Sequence, residues 1–224
     1  ATALRSAIDA RSEAVVVFAA AGSQIEFLEF LMDEPGIDWD ATVLFQLDEY
    51  IGFDASHPAS FRKFLNERVI SLVQPGTLHL IRGEEADSQR ECDRLNDLIG
   101  RFDVDVALVG IGENGHLAFN DPPADFSAEE AYAIVDLDEA CRTQQANEGW
   151  FDSLADVPDV AISMSIKQIM RSRVIVCTVP DARKAKAVRE CLTGDVSQMR
   201  PASILQEHAD VHIYLDSPSA DGLF

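Results

Sequence analysis

Short apolar runs recur along the chain at intervals, each bounded by polar or small residues. They are Ala14–Phe18 (AVVVF), Thr42–Leu47 (TVLFQL), Leu78–Arg82 (LHLIR), Val104–Val109 (VDVALV), Val174–Val179 (VIVCTV) and Val211–Leu215 (VHIYL). Their length and their wealth of Val, Ile and Leu predict strands buried on both faces. Between several of them the apolar positions take helical spacing instead. Cys92, Leu95, Leu98, Ile99 and Phe102 form one such stripe; Ala185, Val188, Cys191 and Leu192 form another, with an N-cap candidate at Asp181 and a stop at Gly194. Apolar strands alternating with amphipathic helices predict a three-layer α/β fold: a mostly parallel, doubly wound sheet with helices on both faces. The chain reads as a single domain over residues 1–224. Residues 127–150 are its least regular segment, polar and acidic, and are expected to form a lid or cap.

In an open sheet of this kind, ligands bind beyond the carboxyl ends of the strands. Four segments should therefore meet on one edge: AAAGSQ after Phe18, LDEYIGF after Gln46, GIGENGHLAFNDPP after Val109, and PDARKAK after Val179. Together they supply a small-residue turn, a pair of acids, a histidine among polar neighbours and a basic helix start.

Gly110, Gly112 and Gly115 have the spacing G-x-G-x-x-G of a dinucleotide-binding turn. That turn must open a crossover helix of roughly ten residues, whose N-terminus holds the pyrophosphate. Here Pro122-Pro123 follows too soon, and two prolines cannot sit inside a helix. The glycines are expected instead to let the backbone bend sharply and approach a ligand.

Charge narrows the partners. Lys and Arg total 18 against 39 Asp and Glu, a formal charge of −21. Such a surface disfavours nucleic acid and anionic lipid, both of which are held through basic side chains. An anionic metabolite would need a locally basic pocket, which makes Arg183, Lys184, Arg62 and Lys63 worth following. No apolar run approaches the ~20 residues of a membrane helix. The four cysteines, Cys92, Cys141, Cys177 and Cys191, have no metal-ligand or paired spacing, and are expected to be reduced and buried in a cytoplasmic protein.

The combination of LDEYIGF…SHPASFRKFL, GIGENGHLAFNDPP and PDARKAKAV resembles the glucosamine-6-phosphate deaminase (isomerase) family, sister to the 6-phosphogluconolactonases, as a divergent branch. The likeness runs from about Val15 to Leu215. The family has a further N-terminal helical segment, so this chain, which opens at Ala1 without Met, is expected to be truncated there.

The resemblance implies an aldose–ketose proton shift on an amino sugar phosphate followed by loss of ammonia, with neither metal nor organic cofactor. It assigns ring opening to His116, an imidazole that titrates near working pH, and proton transfer between sugar carbons to Asp48. Asp121 supports the histidine where the best-known members have Glu. Asn114 stands where they have Asp, and brings no charge to the ring beside it. Gly22 and Ser23 form the anion-binding turn, Lys184 is the substrate-contacting lysine, and Arg183, Glu49 and Gly115 complete the candidate contacts. Glu49 also reads as an orienting partner, and His57 as a residue of the neighbouring turn. The family's further phosphate-binding Arg and Lys have no counterpart, because that region reads SAEEAYAIVDLDE; Thr143–Asn147 (TQQAN) offers amides instead. Two alternatives remain beside the deaminase: a sugar-lactone hydrolase or isomerase with His116 as base, and a non-catalytic sugar-phosphate-binding regulator. The expected partner is a small-molecule sugar, with a homo-oligomer allowed.

Overall fold

The computed structural model describes residues 1–223. In chain order its main elements are α1 (Thr2–Arg11), β1 (Ala14–Phe18), α2 (Ile25–Asp33), β2 (Thr42–Gln46), β3 (Asp48–Tyr50) and α3 (Phe61–Leu65). α3 continues through a π-helical turn at Asn66–Ile70 into α4 (Ser71–Val73). Then follow β4 (Thr77–His79), α5 (Ser88–Ile99), β5 (Val106–Val109), β6 (Tyr132–Asp136), α6 (Glu139–Asn147), β7 (Val160–Met164), α7 (Ile166–Met170), β8 (Val174–Val179), α8 (Ala185–Thr193) and β9 (Val211–Leu215).

Six strands form one sheet in the order β4-β2-β1-β5-β8-β9, and every pairing in it is parallel. The apolar runs produce it directly. All five residues of β1 are buried, because both of its faces are covered. Val15 and Val17 pack with Cys92, Leu95 and Ile99 of α5 and Val188 of α8. Ala14, Val16 and Phe18 point the other way, among Leu4 of α1, Leu28 and Leu31 of α2, and Phe64 of α3. Alternate side chains of one strand thus feed two cores, giving three layers. From β1 the chain winds outward to one side through β2 and β4, and from β5 to the other through β8 and β9. The crevice between β1 and β5 is the switch point at which open sheets bind ligands.

Two features depart from the sequence reading. The Leu78–Arg82 run contributes a strand only at Thr77–His79. A second, antiparallel sheet, β3-β7-β6, was not expected. The chain enters it one residue after β2. Leu47 is the joint: its N–H donates to Phe18 O of β1, and its carbonyl accepts from Met164 N of β7. The small sheet is thereby fixed at the carboxyl edge of the large one. Much of the segment expected to be irregular, 127–150, is ordered as β6 and α6, with Asp138 capping α6 through Cys141 N at 2.6 Å. Beyond α6, Phe151 packs edge-on against Tyr50. All four cysteines are free and buried. No helix among the described residues is long and apolar enough to cross a membrane.

Candidate active site

One cavity opens at the switch point, and its walls come from all four strand-end segments. Ser23 follows β1, Asp48 follows β2, His116 lies in the loop after β5, and Lys184 lies after β8. α6 closes it with Gln144 and Gln145.

Asp48 begins β3 and pairs with Ser163 of β7. It is 6 % exposed, and its carboxylate makes no hydrogen bond among the described residues. Burial, and then the nearby Glu49, push its pKa well above the usual carboxylate range. A desolvated, unpaired carboxylate facing a cavity is a stronger base than an exposed one and is free to meet a ligand.

Glu49 points elsewhere. It was expected among the substrate contacts, but the cavity wall does not include it. Its two oxygens accept from Tyr50 N and Phe61 N, and from Arg62 N, Ser60 Oγ and Gln46 Nε2, at 2.7–3.2 Å. Successive side chains on a strand face opposite ways, so Asp48 and Glu49 cannot both face the cavity. Glu49 instead ties β3 to the start of α3, where free N–H groups need an acceptor. Burial raises its pKa, and these donors oppose the rise.

His116 sits in the bend after β5. Its Nδ1 lies 3.1 Å from Asp121 Oδ1. Burial pushes the Asp121 pKa up, but His116, Asn114 Nδ2 at 2.8 Å and Asp138 N at 3.0 Å more than reverse this, so it ends below the ordinary value. The ionised Asp121 accepts the Nδ1–H and leaves the Nε2 lone pair as the ring's base. The aspartate, one methylene shorter than glutamate, still makes the contact.

Asn114 bridges. Its Nδ2 donates to both Asp121 Oδ1 and Asp138 Oδ2, and its Oδ1 accepts from His116 N. A carboxylate here would be a third acid among two, whereas the amide supplies the donor that both need. The charge beside His116 comes from Asp121. Glu113 turns away, toward Arg183 at 3.7 Å.

The glycine spacing has a steric explanation. A Cβ on Gly112 would come within 2.3 Å of the His116 ring, so only glycine admits the imidazole there. Gly115 adopts φ +84, in the left-handed region. It was expected among the substrate contacts, but it packs near Cys191 instead, outside the cavity wall. No helix follows these glycines before α6, in line with the argument against a dinucleotide turn.

Lys184 is 4 % exposed, and its ammonium lines the cavity with no hydrogen bond among the described residues. The nearest carboxylate oxygen is Glu148 Oε1, 4.0 Å away. Burial lowers the Lys184 pKa, against the opposing pull of Glu148. Gly22 and Arg183 line an adjoining hollow that shares Ser23 and Lys184 with the cavity. The Arg183 guanidinium is occupied by Asp181 at 2.8 Å. Arg62 pairs with Glu84, Lys63 lies by Glu67, and His57 stacks on Phe53, so none of these three joins the cavity wall. The amides expected from Thr143–Asn147 reach the cavity as Gln144 and Gln145; what the sequence reading did not foresee is the positioning role of Gln144, whose Oε1 accepts from Glu113 N and whose Nε2 donates to Glu148 Oε1 at 2.8 Å.

Donor atoms of His116, Asp121 and Cys141 lie within 4.8 Å of one another. The thiol is held far above its ordinary pKa, by burial first and then by Asp121 and Asp138.

Comparison with known proteins agrees with this fold. The family described as "Glucosamine-6-phosphate isomerases/6-phosphogluconolactonase" matches residues 1–213. A glucosamine-6-phosphate deaminase of Exiguobacterium sibiricum is 40 % identical over 174 residues, spanning 78 % of this chain and 68 % of that protein. One from another Exiguobacterium species is 34 % identical over 219 residues, spanning 98 % and 84 %. The solved structure of a monomeric glucosamine-6-phosphate deaminase superposes with a TM-score of 0.88 at 31 % identity, over 98 % of this chain and 93 % of that one. The chain belongs to the family of glucosamine-6-phosphate isomerases and 6-phosphogluconolactonases.

Proposed function

We propose that this protein is an aldose–ketose isomerase and deaminase that converts glucosamine 6-phosphate, or a close amino sugar phosphate, to a ketose phosphate and ammonia. The observation that carries the reading is the presence in one cavity wall of an unpaired buried carboxylate, Asp48, and an imidazole oriented by an ionised acid, His116.

The chemistry requires two kinds of proton movement. A cyclic sugar opens when the C1 hydroxyl loses a proton and the ring oxygen gains one. His116 Nε2 can accept the first and return it to the second, while Asp121 stabilises the imidazolium in between. The open-chain aldehyde then makes the C2 hydrogen acidic. Asp48 takes that proton and delivers it to C1, while O1 gains a proton and the amine nitrogen loses one, so that C1 becomes an alcohol and C2 an imine. Water adds to the imine carbon, and ammonia leaves. One carboxylate serves both proton steps, and its raised pKa narrows the gap to the weakly acidic carbon it must deprotonate. Lys184, with the Ser23 turn, provides the positive charge and N–H groups for the phosphate.

The substrate is thus a small molecule rather than a nucleic acid, and the reaction belongs to the cytoplasm. The test is to incubate the purified protein with glucosamine 6-phosphate and measure ammonia and ketose phosphate together. Equal amounts of both are expected. Hydrolysis of a sugar lactone without ammonia from the amino sugar would contradict the reading and favour a lactonase.

A further inference from the structure

The end of the cavity nearest Lys184 contains an acid with no evident structural work. Glu148 follows α6, and its side chain is nine-tenths buried. Its Oε1 is held by Gln144 Nε2 at 2.8 Å and lies 4.0 Å from Lys184 Nζ. Its Oε2 is buried without any hydrogen-bond partner. That second oxygen lies by the turn after β1, 3.9 Å from where a Cβ on Gly22 would stand. Glu148 lines the hollow that shares Ser23 and Lys184 with the cavity. A carboxylate therefore occupies the place between a lysine and a glycine–serine turn where an anionic ligand would be held.

Its neighbours reinforce the sign. Gln24 Oε1 and Glu113 Oε1 are also buried there without hydrogen-bond partners, the latter 3.7 Å from Arg183. Beside the Lys184 ammonium, these buried atoms without hydrogen-bond partners are acceptors, and a phosphate brings only more acceptors and negative charge. Arg183, the other cation, is committed to Asp181 and to Glu113. A buried polar atom left unpaired is costly, so these oxygens favour a ligand group that donates hydrogen bonds, such as a hydroxyl.

Building on the deaminase reading, we propose that Glu148 is a specificity-determining residue that competes with the substrate's phosphate for Lys184 and the Gly22–Ser23 turn. It lowers the preference for phosphorylated over unphosphorylated amino sugar. Gln144 is its positioning residue, fixing the carboxylate from the preceding turn of α6.

Glu148→Gln keeps the shape and removes the charge. The test compares kcat/KM for glucosamine 6-phosphate with that for glucosamine, in the wild type and in Glu148→Gln. The ratio is expected to rise about tenfold or more in the variant, mainly through a lower KM for the phosphorylated sugar, because a like charge beside the phosphate is gone. Glu129→Gln, on the exposed surface, should leave the ratio unchanged. A second arm needs no turnover: calorimetric binding of inorganic phosphate should tighten by a similar factor in Glu148→Gln. An unchanged ratio together with unchanged phosphate affinity would overturn the proposal. If neither sugar releases ammonia but phosphate still binds more tightly to the variant, the deaminase reading fails and the role of Glu148 stands.

Discussion

The two ends of the cavity differ in how completely their polar groups are paired. Around the imidazole at the His116 end the acceptors and donors are matched, with Asp48 alone left unpaired to meet the substrate: Asp121 receives His116, Asn114 and Asp138 N, and Asn114 receives His116 N. At the Lys184 end they are not. The ammonium has only a carboxylate oxygen at 4.0 Å, and Glu148 Oε2, Glu113 Oε1 and Gln24 Oε1 are buried without hydrogen-bond partners. Paired groups hold a fixed geometry before substrate arrives, as proton transfer demands. Unpaired groups await a ligand, and their identity decides which ligand is accepted. Orientation is thus built into one end and selection into the other.

Breaking the matched end should have the largest effect. His116→Ala removes the ring-opening base and is expected to lower kcat about 10³-fold on glucosamine 6-phosphate, with folding intact by circular dichroism. Glu49→Ala should instead strike stability. Removing an acceptor shared by Phe61 N, Arg62 N and Ser60 Oγ is expected to cost about 3 kcal/mol in urea unfolding. Its neighbour Asp48 should show the reverse pattern, which separates the two acids by function.

Asp121→Asn comes next. Losing the ionised partner of Nδ1 frees the ring to take the other tautomer, and kcat is expected to fall about 10²-fold. Because the Asp121 pKa is held below its unfolded value, the stability it contributes is present above the ordinary carboxylate range and is lost as pH falls through its folded value. Tm of the wild type and of Asp121→Asn should therefore converge in acid.

The smallest change in stability is a gain. Asp48 has a raised folded pKa, so the unfolded chain releases its proton at a lower pH than the folded one. The wild type consequently loses stability as pH rises from below the usual carboxylate range toward the folded value. Asp48→Asn is expected to be inactive yet to melt roughly 2–4 °C higher at neutral pH, the shift that about 1 kcal/mol produces in a chain this long. The advantage should vanish at low pH, where both forms are neutral.

What the sequence disclosed follows the same division. The parallel sheet was legible because strands buried on both faces leave unbroken apolar runs, and the site edge followed from where those runs end. The bend after β5 was legible as a bend, while the reason for Gly112 appears only when the His116 ring is placed against it. The small sheet was hidden. β3 is the polar triplet Asp48–Tyr50, and β6 alternates buried and exposed positions inside an acidic stretch. Glu49 could be placed by neither spacing nor composition, since its partners lie across a turn in α3. Glu148 was overlooked for a similar reason: only the packing of α6 against the segment after β8 brings it to Lys184.

The most direct measurement is a crystal structure with the reduced, open-chain form of glucosamine 6-phosphate, which has no C1 carbonyl to react. The expected result is the C1–C2 end against Asp48 and His116, with the phosphate by Ser23 and Lys184. The contradictory result is a sugar seated the other way round, or outside the cavity, with Asp48 touching no carbon-bearing part of it.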